Sequence, residues 1–206
     1  MIIKSVKQIE GKKDSFTVVF DEGTELQVNV AQIADFGIHS GRVLTDEEYD
    51  ELRESLSQGT SKARAMRMLA GRSLSAREIE KRLVGKGDSR ETAGQTVEWL
   101  EEIGMVDDPA YAMSVVSYYS GKAYGKARIR DELFKRGIDR ELWEDAMSAV
   151  EEKDDPAHDF VSKKLRGSRD KAELSRAADT LCRRGFSYDE ARAAVSRYLE
   201  ELDEEE

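Results

Sequence analysis

Side-chain chemistry needs a nucleophile, a general base or a set of metal ligands, and this chain offers few candidates. Its two histidines, His39 and His158, lie in different regions, and its single cysteine is Cys182. Cys182 sits in a helical string where a small packing residue is the simpler role. No Cys/His group has metal-ligand spacing, and no glycine-rich phosphate loop is present. The acid pairs Asp107-Asp108 and Asp154-Asp155 precede Pro109 and Pro156. Asp108-Pro109 and Asp155-Pro156 fit a helix N-cap followed by proline at the first helical position, a role that needs no metal. The chain is therefore read as a binding protein without cofactor, metal or catalytic residues.

The functional signal lies in the cations. The net charge is −10, which argues against a simple nucleic-acid coat. Yet residues 61–87 carry 8 basic and 2 acidic side chains, whereas residues 1–60 carry 6 and 12. A second basic stretch runs from Lys122 to Arg136. The residues assigned to a partner are Arg64, Arg67, Arg77 and Lys81 in the first stretch. In the second they are Lys122, Tyr124, Lys126, Arg128, Arg130 and Lys135. A solvated helix face is the plainer explanation for any one of them. Recurrence at equivalent places favours a shared stripe. Of the nearby tyrosines, Tyr118 and Tyr119 are assigned to packing, and Tyr124, beside Gly125 at a helix start, to the surface.

The elements that position these cations repeat. The string Leu-x-x-basic-Gly occurs at Leu83-Val84-Gly85-Lys86-Gly87, Leu133-Phe134-Lys135-Arg136-Gly137 and Leu181-Cys182-Arg183-Arg184-Gly185. Ile79, Ile129 and Ala177 stand one helical turn before each Leu and share its face. The basic residue complements a helix C-terminus, and the glycine can take the left-handed conformation that closes it. Ser89, Asp139 or Ser187 then caps the next helix. Upstream stripes (Ala65, Met68 and Leu69; Tyr111, Val115, Tyr118 and Tyr119; Phe160, Val161 and Leu165) complete a three-helix module used three times. Before the repeats, Ile2–Val6, Phe16–Phe20 and Leu26–Val30 read as strands of a small antiparallel meander. Thr45 and Glu48 form a capping box ahead of a helix.

The fold class is thus mainly α, with tandem three-helix repeats and a small N-terminal β meander. The expected divisions are residues 1–60, 61–107, 108–154, 155–202 and an acidic tail at 203–206, whose last residues should be disordered. Two prolines suit long helices, a charged fraction of 37% suits a thin, elongated body with much surface, and the tandem repeats are expected to form a curved one. No apolar run is long enough to span a membrane. Charges follow Met1-Ile2-Ile3 at once, unlike a signal peptide. With a lone cysteine, a monomer in a reducing cytoplasm is expected. A helix–turn–helix transcription factor would place the helix after the glycine turn in the major groove. Here that helix is acidic, with Glu91, Glu98, Glu101 and Glu102 in one repeat and Glu141, Glu144, Asp145, Glu151 and Glu152 in the next.

Leu74-Ser75-Ala76-Arg77-Glu78-Ile79-Glu80-Lys81-Arg82-Leu83, closing on Lys86-Gly87, resembles the first repeat of the RecX regulators of bacterial RecA recombinase. Met105-Val106-Asp107-Asp108-Pro109-Ala110-Tyr111-Ala112 is similar to that family's link between repeats. The run from Tyr124 to Asp139 resembles its second repeat. The third repeat departs from the pattern, with Ala177 in place of a larger apolar residue and Lys171 where a helix-start Gly or Ser would stand. The resemblance implies a protein that lies in the groove of the RecA filament on single-stranded DNA. There it would restrain ATP hydrolysis, strand exchange and coprotease activity. An autonomous DNA-binding helical protein that affects recombination indirectly is the other reading.

Overall fold

The computed structural model describes residues 1–149 and 155–204 and divides into two compact units. The first comprises Met1–Ala70 and Arg82–Trp99, and the second Gly71–Lys81 and Leu100–Glu206.

In the first unit, β1 (Ile3–Gln8), β2 (Ser15–Phe20) and β3 (Glu25–Asn29) form an antiparallel sheet in that order. The β-branched and aromatic residues foreseen as strands set its register, with Val18 opposite Val6 and Leu26. Alternation sends Ile3, Val18, Phe20 and Val28 into a core shared with Ile38, Leu44 and Leu52. Each such side chain contributes roughly 1.5–3 kcal/mol by leaving water. The third strand stops where Asn29 caps α1 (Val30–Asp35) through a reciprocal bond with Gln32.

The long helix α2 (Asp46–Leu69) starts at Thr45, whose side chain accepts from the Glu48 amide while the Glu48 carboxylate accepts from the Thr45 amide. This is the capping box read from the sequence. The helix continues through residue 60, so the division expected there falls inside one element. Nothing at Ser57–Ser61 breaks it: Gly59 lowers helix propensity by only about 1 kcal/mol, and no proline intervenes. Buried Ser61 accepts from the Thr96 hydroxyl at 3.0 Å and donates to Asp88 at 2.9 Å, which ties α2 to α4 (Arg90–Glu102).

The second unit begins with the start of α3 (Ala76–Val84) and holds two three-helix groups. In one, α5 (Asp108–Ser120), α6 (Lys126–Lys135) and α7 (Glu141–Ala149) enclose Ala112, Val115, Val116, Ile129, Leu133, Ile138 and Ala146. In the other, α8 (Pro156–Leu165), α9 (Lys171–Arg183) and α10 (Tyr188–Glu204) enclose Val161, Leu165, Ala177, Leu181, Ala191, Ala194 and Tyr198. Ala177 keeps the inward position of Ile79 and Ile129, so the weak third repeat retains the fold with a smaller side chain. The N-cap of α5 is Asp107, one residue before the position expected, with Pro109 at the second helical residue. Asp155 caps α8 with Pro156 first, as read. Asp203 and Glu204 are helical and Asp203 pairs with Arg169, so the expected disorder does not begin there. Glu205 and Glu206 lie outside the described residues, as do Glu151, Glu152 and Asp154.

Helices end before Gly87, Gly137 and Gly185, all at positive φ (98°, 69° and 91°). Ser89, Asp139 and Ser187 then accept from the amides of Thr92, Glu141 and Glu190. The glycine at 185 has a second reason. A Cβ built there would stand 2.5 Å from the Arg128 amide nitrogen, and one on Gly125 would overlap the Gly185 carbonyl oxygen. The amide of Gly125 donates to the Arg184 carbonyl at 2.9 Å, so the C-terminus of α9 caps the N-terminus of α6. At the other end of α6, the Ser75 hydroxyl donates to the Arg136 carbonyl at 2.5 Å, and Ser75 also caps α3 by accepting from Glu78. Middle helices therefore join end to end, donors of one to acceptors of the next. Each junction satisfies backbone groups that a helix end leaves without partners.

Candidate functional site

The basic stretch on α6 is less free than its sequence suggests. Glu132 is 7% exposed and gathers cations on both sides. Its carboxylate pairs with Arg128 at 3.0 Å, Lys135 at 3.3 Å and Arg136 at 2.5 Å, and it accepts from the Tyr119 hydroxyl at 3.0 Å. The Arg136 hydrogen bond holds the Glu132 carboxyl at about 2, below its ordinary 4.5, against the opposing effect of burial. Sequence reasoning passed over Glu132 and read Arg136 only as the basic residue that closes its helix. The signal was available, since residues 128, 132, 135 and 136 fall on one helix face at i−4, i+3 and i+4. Arg130 pairs across to Glu144 on α7 at 2.9 Å. Three of the cations assigned on α6 thus face a carboxylate, two of them the same one.

The remaining assigned residues divide between the two units. In the first, Arg64 pairs with Asp88, a half-buried contact that locks α2 to the turn before α4. A quarter of the Arg64 side chain stays exposed beside that pair. Arg67 is exposed near the end of α2. In the second unit Arg77 is exposed at its tip, while its stem lies 3.5 Å from where a Gly137 Cβ would be. Lys81 and Lys126 are exposed.

Tyr119 packs on the core as expected, whereas Tyr118 and Tyr124 exchange the places read for them. Tyr124 is half-buried, edge-on to Tyr119 with ring centroids 5.4 Å apart. Tyr118 is 56% exposed. The inward stripe of α5 runs Ala112, Val115, Val116, Tyr119, so its neighbour Tyr118 must point away. Lys122 donates to the Tyr118 hydroxyl and lies over that ring, 4.1 Å from its centroid. That hydrogen bond raises the Lys122 pKa above the ordinary lysine value. A groove of about 680 Å³ opens between the two three-helix groups, with Tyr124, Ile129, Met147, Phe186 and Arg197 on its walls.

Among the described residues no group of His, Cys, Asp and Glu could hold a metal ion. His39 lies against the Ser40 carbonyl in the first unit, and His158 against Glu201 in the second. No described helix is long and apolar enough to cross a membrane. What the surface offers is recognition by charge, rings and hydrogen bonds.

Comparison with known proteins identifies the architecture. A model of the RecX second three-helix domain matches residues 107–147, the stretch from the α5 cap through most of α7. Regulatory protein RecX of Xanthomonas axonopodis pv. citri (strain 306) is 33% identical over 141 residues, covering 67% of this chain and 87% of that protein. Its counterpart in Caldanaerobacter subterraneus subsp. tengcongensis is 27% identical over 163 residues, covering 78% and 81%. A crystal structure of regulatory protein RecX superposes with a TM-score of 0.68 at 19% identity, over 93% of this chain and 97% of that one. RecX from Lactobacillus salivarius gives 0.60 at 19% identity, over 69% and 96%. The last two likenesses establish the fold, and the identity across most of the Xanthomonas protein establishes kinship: the chain belongs to the RecX family.

Proposed function

We propose that the chain inhibits RecA recombinase by binding in the groove of the RecA filament on single-stranded DNA. It would thereby restrain ATP hydrolysis, strand exchange and coprotease activity, acting as a monomer in the cytoplasm and by contact rather than by catalysis. The observation that carries this reading is the 33% identity to a regulatory protein RecX over 87% of that protein's length. Support from the surface comes from Arg67, Arg77, Lys81 and Lys126, exposed cations at the ends of their helices. Arg128, Arg130 and Lys135 contribute their outer edges, because their charge is partly matched by Glu132 and Glu144.

The test is a titration of the protein into RecA and single-stranded DNA while ATP hydrolysis is followed. The rate should fall as protein is added and reach a plateau once filaments are saturated. An unchanged rate at protein in excess over RecA would overturn the proposal.

A further inference from the structure

The two edges of the sheet in the first unit differ. The β1 edge is covered at its start. There the Ile3 amide donates to the Arg42 carbonyl at 2.9 Å, and the Ile3 carbonyl accepts from the Gly41 amide at 2.8 Å. Beyond that cover stand the exposed Lys4 and Lys7, charges of the kind that discourage further pairing. The β3 edge has no such cover. The Phe20 amide donates to the Thr24 carbonyl at 2.9 Å, so Leu26 and Val28, opposite Val18 and Phe16, take the next hydrogen-bonded places on β2. The backbone groups of Glu25, Gln27 and Asn29 therefore point away from the sheet. The Asn29 amide is taken by the Gln32 side chain. Among the described residues no strand pairs with Glu25 or Gln27 on that side.

Beside this edge lies a cleft of about 270 Å³, lined by Leu26, Arg53, Leu56, Ser57, Thr60 and Asp88. Residues 53, 56, 57 and 60 share one face of α2, and Leu26 and Leu56 rim the core under the sheet. The cleft thus lies on the face of β3 to which Leu26 points. Arg53 is exposed and has no ion-pair partner among the described residues, whereas the Asp88 charge is matched by Arg64.

An added antiparallel strand would exchange hydrogen bonds with Glu25 and Gln27. Alternation then sends its residue opposite Leu26 into the cleft. There Leu26 and Leu56 suit a methylene stem, and Arg53 with the Ser57 and Thr60 hydroxyls suits a carboxylate at its tip. The residue opposite Glu25 lies on the outer face, where a cation is matched. We propose that the β3 edge takes an extended segment of a partner protein by strand addition, with a glutamate in the cleft against Arg53 and a basic residue opposite Glu25. The surface is built without the cations of the second unit and does not rest on the RecA reading.

The experiment is an NMR titration of the isotope-labelled full chain with the peptide acetyl-Thr-Val-Thr-Glu-Lys-Val-Thr-amide. Saturable shifts should centre on β3 and on residues 53–60, and hydrogen exchange of the Glu25 and Gln27 amides should slow by roughly tenfold or more. Glutamine in place of the peptide's glutamate, or Arg53→Ala in the chain, should weaken binding by roughly tenfold, as loss of a charge-assisted hydrogen bond does. Gln27→Pro should abolish binding while thermal melting changes little, because only an outward amide is lost. A peptide methylated on the backbone nitrogens that flank its glutamate residue should not bind the unaltered chain, which tests strand addition without touching the fold. Absence of saturable shifts up to millimolar peptide, or shifts centred elsewhere, would overturn the proposal. So would undiminished binding with Gln27→Pro, Arg53→Ala or the methylated peptide. A dimer in sedimentation velocity that Gln27→Pro dissolves would overturn it as well, since the edge would then serve a second copy of this chain.

Discussion

At the scale of single residues, Glu132 decides how α6 behaves. It is nearly buried and holds three cations and a phenol. Removing its charge leaves Arg136 half-buried without its anion, which is costlier than losing a surface pair. Glu132→Gln should destabilise the protein by on the order of 2 kcal/mol or more, measured by urea unfolding at neutral pH. The pH dependence has a definite sign. The folded carboxyl sits at about 2 against an ordinary 4.5, so its stabilisation is complete above the ordinary value and is lost as pH falls from there through about 2. The gap between wild type and Glu132→Gln should shrink in that acid window and not in mild alkali. A gap that stays constant across it would show that the cage does not stabilise the fold. This cage was legible in principle from i,i+4 spacing. The exposure of Tyr118 was legible too, had the stripe been phased on Ala112, Val115 and Val116 rather than on Tyr111 and Val115.

At the scale of elements, caps were the most readable feature because they are local. Thr45 with Glu48, and Ser187 with Glu190, lie three residues apart and form their bonds whatever the rest of the chain does. The junction of α9 with α6 could not be read in that way. It joins Gly125 to Gly185 through their backbones, and nothing in the local pattern distinguishes Gly185 from Gly87. Yet the two differ sharply in surroundings. A Cβ at Gly87 meets nothing within 4 Å, whereas one at Gly185 meets Arg128 at 2.5 Å. Both have positive φ, so Gly87→Ala should cost about 1–2 kcal/mol from backbone strain alone. Gly185→Ala carries that strain and must also part the two helix ends. It should cost clearly more, with a lower cooperativity of unfolding as the third repeat separates from the second. Equal losses in chemical denaturation would show that the junction yields without penalty. The same comparison explains why the motif glycine survives in the third repeat although the apolar position at Ala177 has shrunk.

At the scale of the whole molecule, the repeat pattern and the resemblance in residues 74–87, 105–112 and 124–139 carried the family reading, and relatives across most of the chain support it. The working surface was less legible. Charge counts along the sequence cannot say which cations meet carboxylates, because that depends on partners such as Asp88 for Arg64 and Glu144 for Arg130. The central claim concerns a partner, and the most direct measurement is co-sedimentation with RecA filaments assembled on single-stranded DNA. The account predicts that the protein pellets with the filament, saturably, and remains in the supernatant with RecA alone under conditions that prevent filament assembly. A protein that stays in the supernatant with assembled filaments, or that pellets equally with the DNA when RecA is left out, would contradict it.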